Sequence, residues 1–484
     1  MAKAKPKPKP RPKKAPPKPR SSTKARPKPS PTTKARAKPS KAPRASRDDP
    51  DADLSVSGQV YQRGKLVPSV LHIDTRSGKI VRIAKSTTLA THIDLGNKAI
   101  LPGGIDIHVH FREPGHTHKE DILSGSTAAA FGGITAYADM PNTLPATISA
   151  RALREKLAIM AQKSVVDYGA WAGGSWYTGD LPEMLKYAVG VKTYLGATTG
   201  DLLLEDQGKF QAVLAAAGHA ARPAVLHAEA NRVLAHLRRS EAGLEDHDTL
   251  RPPLAEVEAI YDAMKAMAGI KRPPTVHIAH IASPDAVQAA TTAKFSTGVC
   301  PHHLLLDTGA PLTHAYGKMN PPLRSPTMRK ALWDLFAKGK IPILESDHAP
   351  HTSVEKEDNF HAAPSGVPGV ETMIPVLLAQ VKAGKIPLDI VVDAATKNPA
   401  ALLGLTDRGT LEAGMKADFA AYDLKAPTKV DSAHLHSKCG WSPFDGHTAI
   451  FPTHTYLAGR PVIEDGDLVA APGSGKSLRP LPKE

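Results

Sequence analysis

The segment ILPGGIDIHVH, residues 100–110, opens the series of apolar runs that decides the fold. Seven further runs follow it: GITAYADM (133–140), VDYGAWAG (166–173), VKTYL (191–195), PAVLHAE (223–229), TVHIAHI (275–281), STGVC (296–300) and IPILESD (341–347). Such runs are typical of buried strands, and helical segments such as SARALREKLAIMAQK (149–163) and LAEVEAIYDAMKAMA (254–268) fill most of the gaps. This alternation predicts an α/β fold in which the strands close a TIM-like (β/α)8 barrel. A doubly wound open sheet is the alternative.

The two ends of the chain predict a smaller domain. Alternating runs separated by turn residues, such as LSVSGQVY (54–61), indicate antiparallel strands, and the same signature returns near the C-terminus in residues 409–424 and 448–466. We expect both ends to form one small β-sandwich. The predicted order is a disordered tail, the first part of the sandwich, a metal-dependent barrel, and the rest of the sandwich with a C-terminal tail, at residues 1–50, 51–100, 101–400 and 401–484.

The net charge of +15 resides in the first 47 residues. They hold 18 of the 62 Lys and Arg and no Asp or Glu, so the remaining residues carry 44 basic and 47 acidic side chains. The segment lacks aromatic residues, Leu, Ile and Val, so it cannot bury enough apolar surface to fold. We expect a disordered Lys/Pro-rich arm that contacts polyanions or an acidic partner protein. Sequence-specific recognition of nucleic acid is not expected from it.

Composition favours a cytoplasmic protein with no membrane contact. The N-terminal segment lacks the apolar core of a signal peptide, and no stretch approaches the roughly 20 apolar residues of a membrane span. Cys300 and Cys439 are the two cysteines of the chain, which excludes a disulfide framework and favours a reducing compartment.

Six potential metal ligands lie near the predicted strand ends: His108, His110, Lys192, His227, His280 and Asp347. Side chains at i and i+2 of a strand share a face, so the imidazoles of His108 and His110 project together. This pairing favours metal binding over the commoner role of an isolated core histidine. Because strand ends of a barrel meet at one rim, the set predicts a two-metal site, whose ions lie about 3.5 to 4 Å apart and need a bridging anion.

Lys192 is the unusual member of this set, because an ammonium group repels divalent cations. Carboxylation of its amine by CO2 would give a carbamate that could bridge two metals. An ordinary surface or salt-bridging lysine is the alternative. Lys192 follows an apolar strand start and leads into the loop at 196–200, so we predict the carboxylated bridge.

Five segments resemble the signature motifs of the dihydroorotase family, within the amidohydrolase superfamily. They occur in that family's order and are HVHFREPG (108–115), MPNT (140–143), KMNPPLR (318–324), SDHAPH (346–351) and PSGVPGVE (364–371). NPA (398–400) and GMKAD (414–418) are similar to the superfamily's return into its small β-domain, and the basic tail matches nothing in the pattern. The resemblance implies reversible, metal-dependent hydrolysis of the cyclic amide dihydroorotate to N-carbamoyl-aspartate, in pyrimidine (UMP) biosynthesis.

The resemblance also divides the ligands between two divalent ions, usually zinc: His108, His110 and Asp347 on one, His227 and His280 on the other, and carboxylated Lys192 bridging both. Asp347 would be the catalytic residue. It would take a proton from a water activated by the metals and return it to the leaving nitrogen.

Four further residues would bind the substrate. The resemblance implies that Arg112, Asn142 and His351 hold its carboxylate and that Asn320 lies near the pyrimidine ring. A guanidinium suits a planar carboxylate because two parallel hydrogen bonds can form, which a lysine would not reproduce. We expect a homo-oligomer.

Two rival functions explain the same residues less well. Hydantoinase or allantoinase would use the same metals, but substrates lacking the carboxylate give no reason for both Arg112 and Asn142. A non-catalytic relative should have lost ligands, and here all six positions are filled.

His302 and His303, which follow Cys300, imitate a metal cluster on a strand that the family does not use for ligands. The loop at 352–368 could cover the site or be an ordinary surface loop.

Overall fold

The computed structural model describes residues 51–198 and 200–480. The prediction of a disordered basic tail therefore lies outside the described residues. Within them, none of the helices combines the length and the hydropathy that crossing a membrane requires.

Four strands begin the described chain: β1 (Leu54–Gln62), β2 (Lys65–Asp74), β3 (Lys79–Ala84) and β4 (His92–Pro102). β1 pairs antiparallel with β2 through a tight turn at Arg63 and Gly64, which both have positive φ (49° and 84°), as a two-residue hairpin turn requires. β1 also pairs with β4 in the parallel sense. Alternation along the strands buries Val56 and Val60 in one apolar cluster with residues of β2 and β3.

Parallel strand segments then pair in chain order: β5 (Gly104–Val109), β6 (Ile134–Asp139), β7 (Asp167–Ala170), β8 (Ala172–Gly173), β9 (Val191–Tyr194), β10 (Ala224–His227), β11 (Val276–Ile278), β12 (Ser296–Val299) and β13 (Ile343–Leu344). β5 to β7 form one sheet and β8 to β13 another, and only Trp171 separates β7 from β8. His348, which lies just after β13, forms a parallel β-bridge with Val109 of β5, so the last strand of the series is connected to the first. We call this arrangement the parallel ring.

The start of the ring differs from the sequence prediction. Residues 100–110 were expected to form one strand, but residues 100–102 belong to β4 and β5 begins at Gly104. Gly103 is where the chain passes from one sheet to the other. A Cβ there would lie 2.2 Å from Oγ1 of Thr135, so only glycine allows this close approach. The single-strand prediction is therefore wrong.

Fourteen α-helices connect or flank these strands in the described part of the chain: α1 (Ile122–Phe131), α2 (Ala150–Lys163), α3 (Leu181–Met184), α4 (Gln207–His219), α5 (Asn231–Leu237), α6 (Leu244–Leu250), α7 (Pro253–Met267), α8 (Pro284–Ala293), α9 (Pro301–Leu305), α10 (Pro326–Ala337), α11 (Ser353–Lys356), α12 (Met373–Lys382), α13 (Leu388–Ala395) and α14 (Lys397–Leu403). α2 and α7 lie where the sequence predicts helices. The Ser149 side chain caps α2 by accepting a hydrogen bond from the Ala152 N–H.

Of the six C-terminal strands that the structure describes, four return to the first sheet and the other two pair with each other. The six are β14 (Phe419–Tyr422), β15 (Thr428–Lys429), β16 (Thr448–Ala449), β17 (Pro452–Leu457), β18 (Arg460–Glu464) and β19 (Asp467–Leu468). β14 pairs antiparallel with both β4 and β17, so the two ends form one sheet in the order β19-β18-β17-β14-β4-β1-β2-β3. The ends thus come together as predicted, and the arrangement of that sheet as a sandwich stays a prediction.

Candidate metal-binding active site

The predicted ligands lie together at one end of the parallel ring. Five of them line a small cavity, which we call the site cavity; its lining is His108, His110, Arg112, Asn142, Tyr194, Thr198, His227, His280, Asn320, Asp347, Ala349, Ser365 and Gly366. The sixth, Lys192, contacts His108, with its Nζ 3.4 Å from Nε2. Larger clefts occur elsewhere, such as one beside α4 and α7, but the site cavity is where the predicted ligands and substrate-binding side chains meet.

Not every ligand stands where the sequence places it on its strand. His227 is the last residue of β10, as predicted. Lys192, expected near a strand end, lies inside β9, which continues for two more residues to Tyr194. Tyrosine favours extended backbone, so the strand does not stop at the lysine. His280 and Asp347 lie just beyond β11 and β13.

One group of ligands surrounds a single carboxylate oxygen. Oδ1 of Asp347 lies 3.3 Å from Nε2 of His108 and 3.2 Å from Nε2 of His110. All three side chains are buried or nearly so, and their ligating atoms lie within 4.8 Å of one another. Two imidazole nitrogens and one carboxylate oxygen at this spacing form a donor set that suits a divalent cation such as zinc.

The second group lies next to the first. Nδ1 of His227 and Nε2 of His280 are 3.1 Å apart, and the rings of His280 and His108 have centroids 5.0 Å apart. Lys192 is fully buried, and its charge contributes to lowering the pKa of His108, His227 and His280. The structure therefore brings all the predicted ligands together.

Burial sets the protonation of these groups. It lowers the pKa of His110 to about 3 and lowers those of His108, His227 and His280. Burial also lowers the pKa of Lys192 to about 8. The imidazoles are therefore neutral at physiological pH, with lone pairs available to a metal, and part of the lysine population is an uncharged amine.

Three polar side chains hold the imidazoles in orientation. Oε2 of Glu345 lies 3.1 Å from Nδ1 of His108, and Oδ1 of Asn142 lies 2.6 Å from Nδ1 of His110. Oε2 of Glu229 lies 2.9 Å from Nε2 of His227. A carboxylate or amide behind a ligating imidazole fixes its tautomer and raises its basicity. The sequence reasoning missed Glu345 and Glu229, although each lies two positions from a predicted ligand.

Backbone conformation is unusual at three residues of the cavity. Arg112, His280 and Asp347 have φ values of 63°, 40° and 44°, in the left-handed region that non-glycine residues rarely adopt. For His280, a side-chain oxygen of Glu345 accepts a hydrogen bond from the backbone N–H and supports this conformation. Such conformations persist where the surrounding structure holds a side chain in a required direction.

Three of the four predicted substrate-binding residues, Arg112, Asn142 and Asn320, line the site cavity beside the ligands. Arg112 is buried; its Nε donates to the carbonyl of Pro350, and its Nη2 lies 3.1 Å from Nε2 of His351. Nε2 of His351 also lies 3.1 Å from the Ser365 carbonyl. Burial, together with the charge of Arg112, holds the pKa of His351 well below its usual range, so this imidazole is neutral. His351 does not line the cavity itself and acts beside Arg112.

Asn320 lines the same cavity from another direction. Its Nδ2 donates to Oγ1 of Thr198, and its Oδ1 lies 3.0 Å from Nε2 of His247. The amide is thus fixed at both ends. The structure brings Asn320 to the cavity with Arg112 and Asn142, as the sequence prediction requires.

Part of the loop at 352–368 forms a wall of the cavity. Its Ser365 and Gly366 belong to the cavity lining. The buried Nζ of Lys356 donates to the carbonyls of Lys318, Pro364 and Gly366, at 3.0 to 3.1 Å. The end of this loop is therefore anchored against the rest of the chain.

Another set of side chains that could bind a metal ion lies outside the cavity lining. Cys300, His302 and His303 are buried and have ligating atoms within 4.8 Å of one another. Nε2 of His303 lies 2.9 Å from the carbonyl of Pro321. We call these three residues the Cys300 cluster.

Comparison with known proteins relates the chain to cyclic amidohydrolases. The Amidohydrolase family model matches residues 99–451. The chain is 39% identical to a dihydroorotase from Halobacterium salinarum over 388 residues, which cover 78% of this chain and 89% of that protein. It is 35% identical to a dihydroorotase from Methanosarcina acetivorans over 442 residues, covering 87% and 94% of the two chains.

Solved structures of cyclic amidohydrolases also superpose on this chain. The L-hydantoinase (dihydropyrimidinase) from Arthrobacter aurescens superposes with a TM-score of 0.83 at 28% identity, covering 88% of this chain and 99% of that one. The dihydropyrimidinase from Brevibacillus agri superposes with a TM-score of 0.80 at 26% identity, covering 88% and 98%.

Proposed function

This chain belongs to the amidohydrolase family and is a dihydroorotase. We propose that dihydroorotate is reversibly hydrolysed to N-carbamoyl-aspartate in the site cavity. The observation that carries this assignment is the convergence of the six potential ligands with Arg112 at one end of the parallel ring. The ligands suit hydrolysis of an amide, and the arginine suits a substrate that carries a carboxylate.

Two divalent metal ions, assigned as zinc, fit the donor set of this structure. One would be held by His108, His110 and Asp347, and the other by His227 and His280. The fit rests on neutral imidazoles, on nitrogens 3.1 to 3.3 Å from a neighbouring ligand atom, and on the orienting groups behind three of the rings. When bound, the ions would polarise the ring carbonyl and lower the pKa of the attacking water.

Carboxylated Lys192 is proposed as the bridging ligand. Its amine is fully buried and lies within hydrogen-bond distance of the His108 imidazole. A buried ammonium in such surroundings is costly, whereas burial favours the neutral amine. A neutral amine can attack CO2, forming a C–N bond and releasing one proton to give a carbamate. The resulting negative charge would match the two cations on either side.

Asp347 is proposed as the catalytic residue that moves the proton. Burial opposes its ionisation, but its interactions with His108 and His110 hold its pKa below the usual range, so it is a carboxylate at neutral pH. It can accept a proton from the attacking water and return it to the nitrogen that leaves the ring. In the reverse direction the same carboxylate would remove a proton from the ureido nitrogen of N-carbamoyl-aspartate.

Substrate orientation is assigned to the polar residues beside the ligands. Arg112, Asn142 and His351 would hold the carboxylate, and Asn320 would lie near the pyrimidine ring. The Nε of Arg112 donates to Pro350 and its Nη2 contacts His351, so Nη1 and the second N–H of Nη2 are the donors it offers to a ligand. The Asn142 oxygen faces His110, so its amide nitrogen is the end that would donate. Placing the ring in this way would present its amide to the reacting groups.

Hydantoinase activity is the second candidate, because the solved structures reported above are hydantoinases or dihydropyrimidinases. Dihydroorotate, dihydrouracil, hydantoin and allantoin should be compared as substrates of the zinc-loaded protein. We expect dihydroorotate to have the largest kcat/KM. A larger kcat/KM for a ring without the carboxylate would overturn the substrate assignment.

The fold is interpreted in the same terms. We propose that the parallel ring is a TIM-like (β/α)8 barrel over residues 101–400, and that residues 51–100 and 401–484 contribute a small β-sandwich. The pairing from β5 through β13 and back by way of His348 supports the first assignment. The eight-stranded sheet made from both ends supports the second.

The cellular setting is also a proposal. We propose that the protein is a cytoplasmic homo-oligomer serving pyrimidine biosynthesis, and that its basic N-terminal segment contacts polyanions or an acidic partner. The segment's charge supports the last point, since 18 Lys or Arg occur there without Asp or Glu. Removing residues 1–47 should leave dihydroorotate turnover intact and weaken salt-sensitive retention on nucleic acid. A large loss of turnover on truncation, with metal content unchanged, would overturn this division.

A further inference from the structure

Tyr194 carries a hydroxyl that has no hydrogen-bond partner in the part of the chain that the structure describes. The side chain is 4% exposed, and its Oη is buried. A buried hydroxyl without a partner is costly, and most such groups in proteins are paired. The hydroxyl therefore calls for a partner that the described residues do not supply.

The position of Tyr194 shows where that partner would be. Tyr194 lies two residues after Lys192 on β9, so both side chains leave the strand on the same face, and Tyr194 lines the site cavity with Arg112. Its ring is held in place, with its centroid 6.0 Å from that of His227 and 5.2 Å from Nζ of Lys192.

The Tyr194 phenol carries one O–H and lines the same cavity as Arg112 and Asp347. Such a group serves as a directional donor that adds no charge to the cavity.

We propose that Tyr194 donates a hydrogen bond to the substrate carboxylate alongside Arg112 and thereby selects for rings that carry this group. The inference rests on the proposed function, since it names a further residue that recognises the same substrate. Arg112 supplies the charge and Tyr194 supplies direction. A ring without the carboxylate would leave the phenol buried and unpaired, and sites built to bond a polar group discriminate strongly against analogues that lack it.

The test is Tyr194→Phe, which removes one oxygen and keeps the ring against His227 and Lys192. A hydrogen bond to a charged group lost in this way should raise KM for dihydroorotate about 10- to 100-fold. We expect kcat to change less than about threefold, because the reacting groups are untouched. Inhibition by orotate should weaken by a similar factor, and inhibition by dihydrouracil, which lacks the carboxylate, should change little.

Tyr456→Phe is the matched control. Tyr456 lies on β17 in the eight-stranded sheet, and its Oη is likewise buried without a hydrogen-bond partner in the described part of the chain. This control should retain wild-type KM and wild-type inhibition by orotate. An equal loss in both variants would show that removing any orphaned phenol perturbs the protein, and would overturn the proposal.

Two results separate this proposal from the assignment of the site. If wild type turns over dihydroorotate and Tyr194→Phe keeps both its KM and its inhibition by orotate, the role of Tyr194 is overturned and the proposed function stands. If wild type, loaded with zinc, fails to turn over dihydroorotate, both fall. Metal content of Tyr194→Phe should equal that of wild type, and loss of metal would assign Tyr194 a structural role instead.

Discussion

The ligand group at the site cavity and the Cys300 cluster are both buried sets of metal-binding side chains, yet they are built differently. The first is drawn from the ends of separate strands of the parallel ring, whereas the second comes from residues 300–303 at the end of β12 and the start of α9. In the second, the rings of His302 and His303 have centroids 4.3 Å apart, and Nε2 of His302 has no hydrogen-bond partner among the described residues.

The difference shows that proximity of ligating atoms does not by itself identify a metal centre. The site cavity adds orienting groups behind its imidazoles, left-handed backbone at His280 and Asp347, and a facing arginine. The left-handed backbone and the buried arginine cost folding energy, and the cost makes sense where side chains must converge on a ligand. The three residues of the Cys300 cluster are close together in sequence, which is enough to explain why their side chains lie close together without a bound ion.

The largest expected effect comes from the ligands themselves. Lys192→Ala and Asp347→Asn should each lower kcat for dihydroorotate by about a thousandfold or more, for different reasons. The first removes the proposed bridge and should also lose metal, whereas the second removes the proton carrier and one anionic ligand. Turnover and metal content should be measured together on both variants. Near wild-type turnover in either one would break the distinction between the two clusters.

The arginine that faces the ligands gives the next effect. Arg112→Lys should lower kcat/KM for dihydroorotate about 100-fold, because a lysine cannot reproduce two parallel hydrogen bonds to a carboxylate and the ring is then misplaced. Metal content should be unchanged, which distinguishes this variant from Lys192→Ala. Unchanged kinetics would move the substrate assignment toward carboxylate-free cyclic amides.

The groups behind the imidazoles sharpen the comparison further. Glu345→Gln should weaken metal affinity about 10- to 100-fold, because an amide supports the basicity of His108 less well than a carboxylate. Titration with a competing chelator measures this change, and added zinc should restore much of the activity. Glu371→Gln is a control, since Glu371 is a buried carboxylate that pairs with His436 and lies outside the cavity lining. Equal metal affinity in wild type and Glu345→Gln would contradict the orienting role.

The buried lysine that anchors the loop at 352–368 gives an intermediate effect on stability. Burial and the charges of Lys318 and Arg112 lower the pKa of Lys356 to about 7, from 10.5. Between these values the unfolded chain binds more protons at this group, so its contribution to the free energy of unfolding rises with pH, by at most about 1.4 kcal/mol per pH unit. Wild type should therefore gain stability relative to Lys356→Met from pH 7 to 10. A constant difference in denaturant unfolding across that range would contradict this.

The smallest effect is expected at the other cluster. Cys300→Ser should change dihydroorotate turnover less than about threefold and should leave the number of bound metals unchanged, because the thiol is not assigned as a ligand. Cobalt loading provides an independent measurement, since a thiolate ligand gives a near-ultraviolet charge-transfer band that imidazole and carboxylate do not. We expect no such band in wild type. A band that disappears in Cys300→Ser and persists in Cys439→Ser would show that this cluster binds metal.

Much of the site could be predicted because its signals are local in sequence. His108 and His110 share a strand face, and Arg112 follows them within one motif. The apolar runs also locate the ring strands, since a buried parallel strand is apolar on both faces. Convergence then follows from the general rule that parallel strand ends meet at one edge.

The remaining features depend on contacts that a sequence does not display. The break at Gly103 reflects the close approach of Thr135 from another strand. Glu345 acts on His108, which precedes it by 237 positions, and Tyr194 is notable because no hydrogen-bond partner reaches its hydroxyl within the described chain. These are properties of the packed ring rather than of any one segment.

The ligand group at the end of the parallel ring is proposed to be a two-metal centre that hydrolyses dihydroorotate. The most direct test measures bound metal per chain and dihydroorotate turnover in the same preparation, before chelation, after chelation and after zinc is returned with bicarbonate. We predict about two divalent ions per chain at full activity, loss of turnover as they are removed, and recovery of both on reconstitution. Full turnover of dihydroorotate by the metal-free protein would contradict the account.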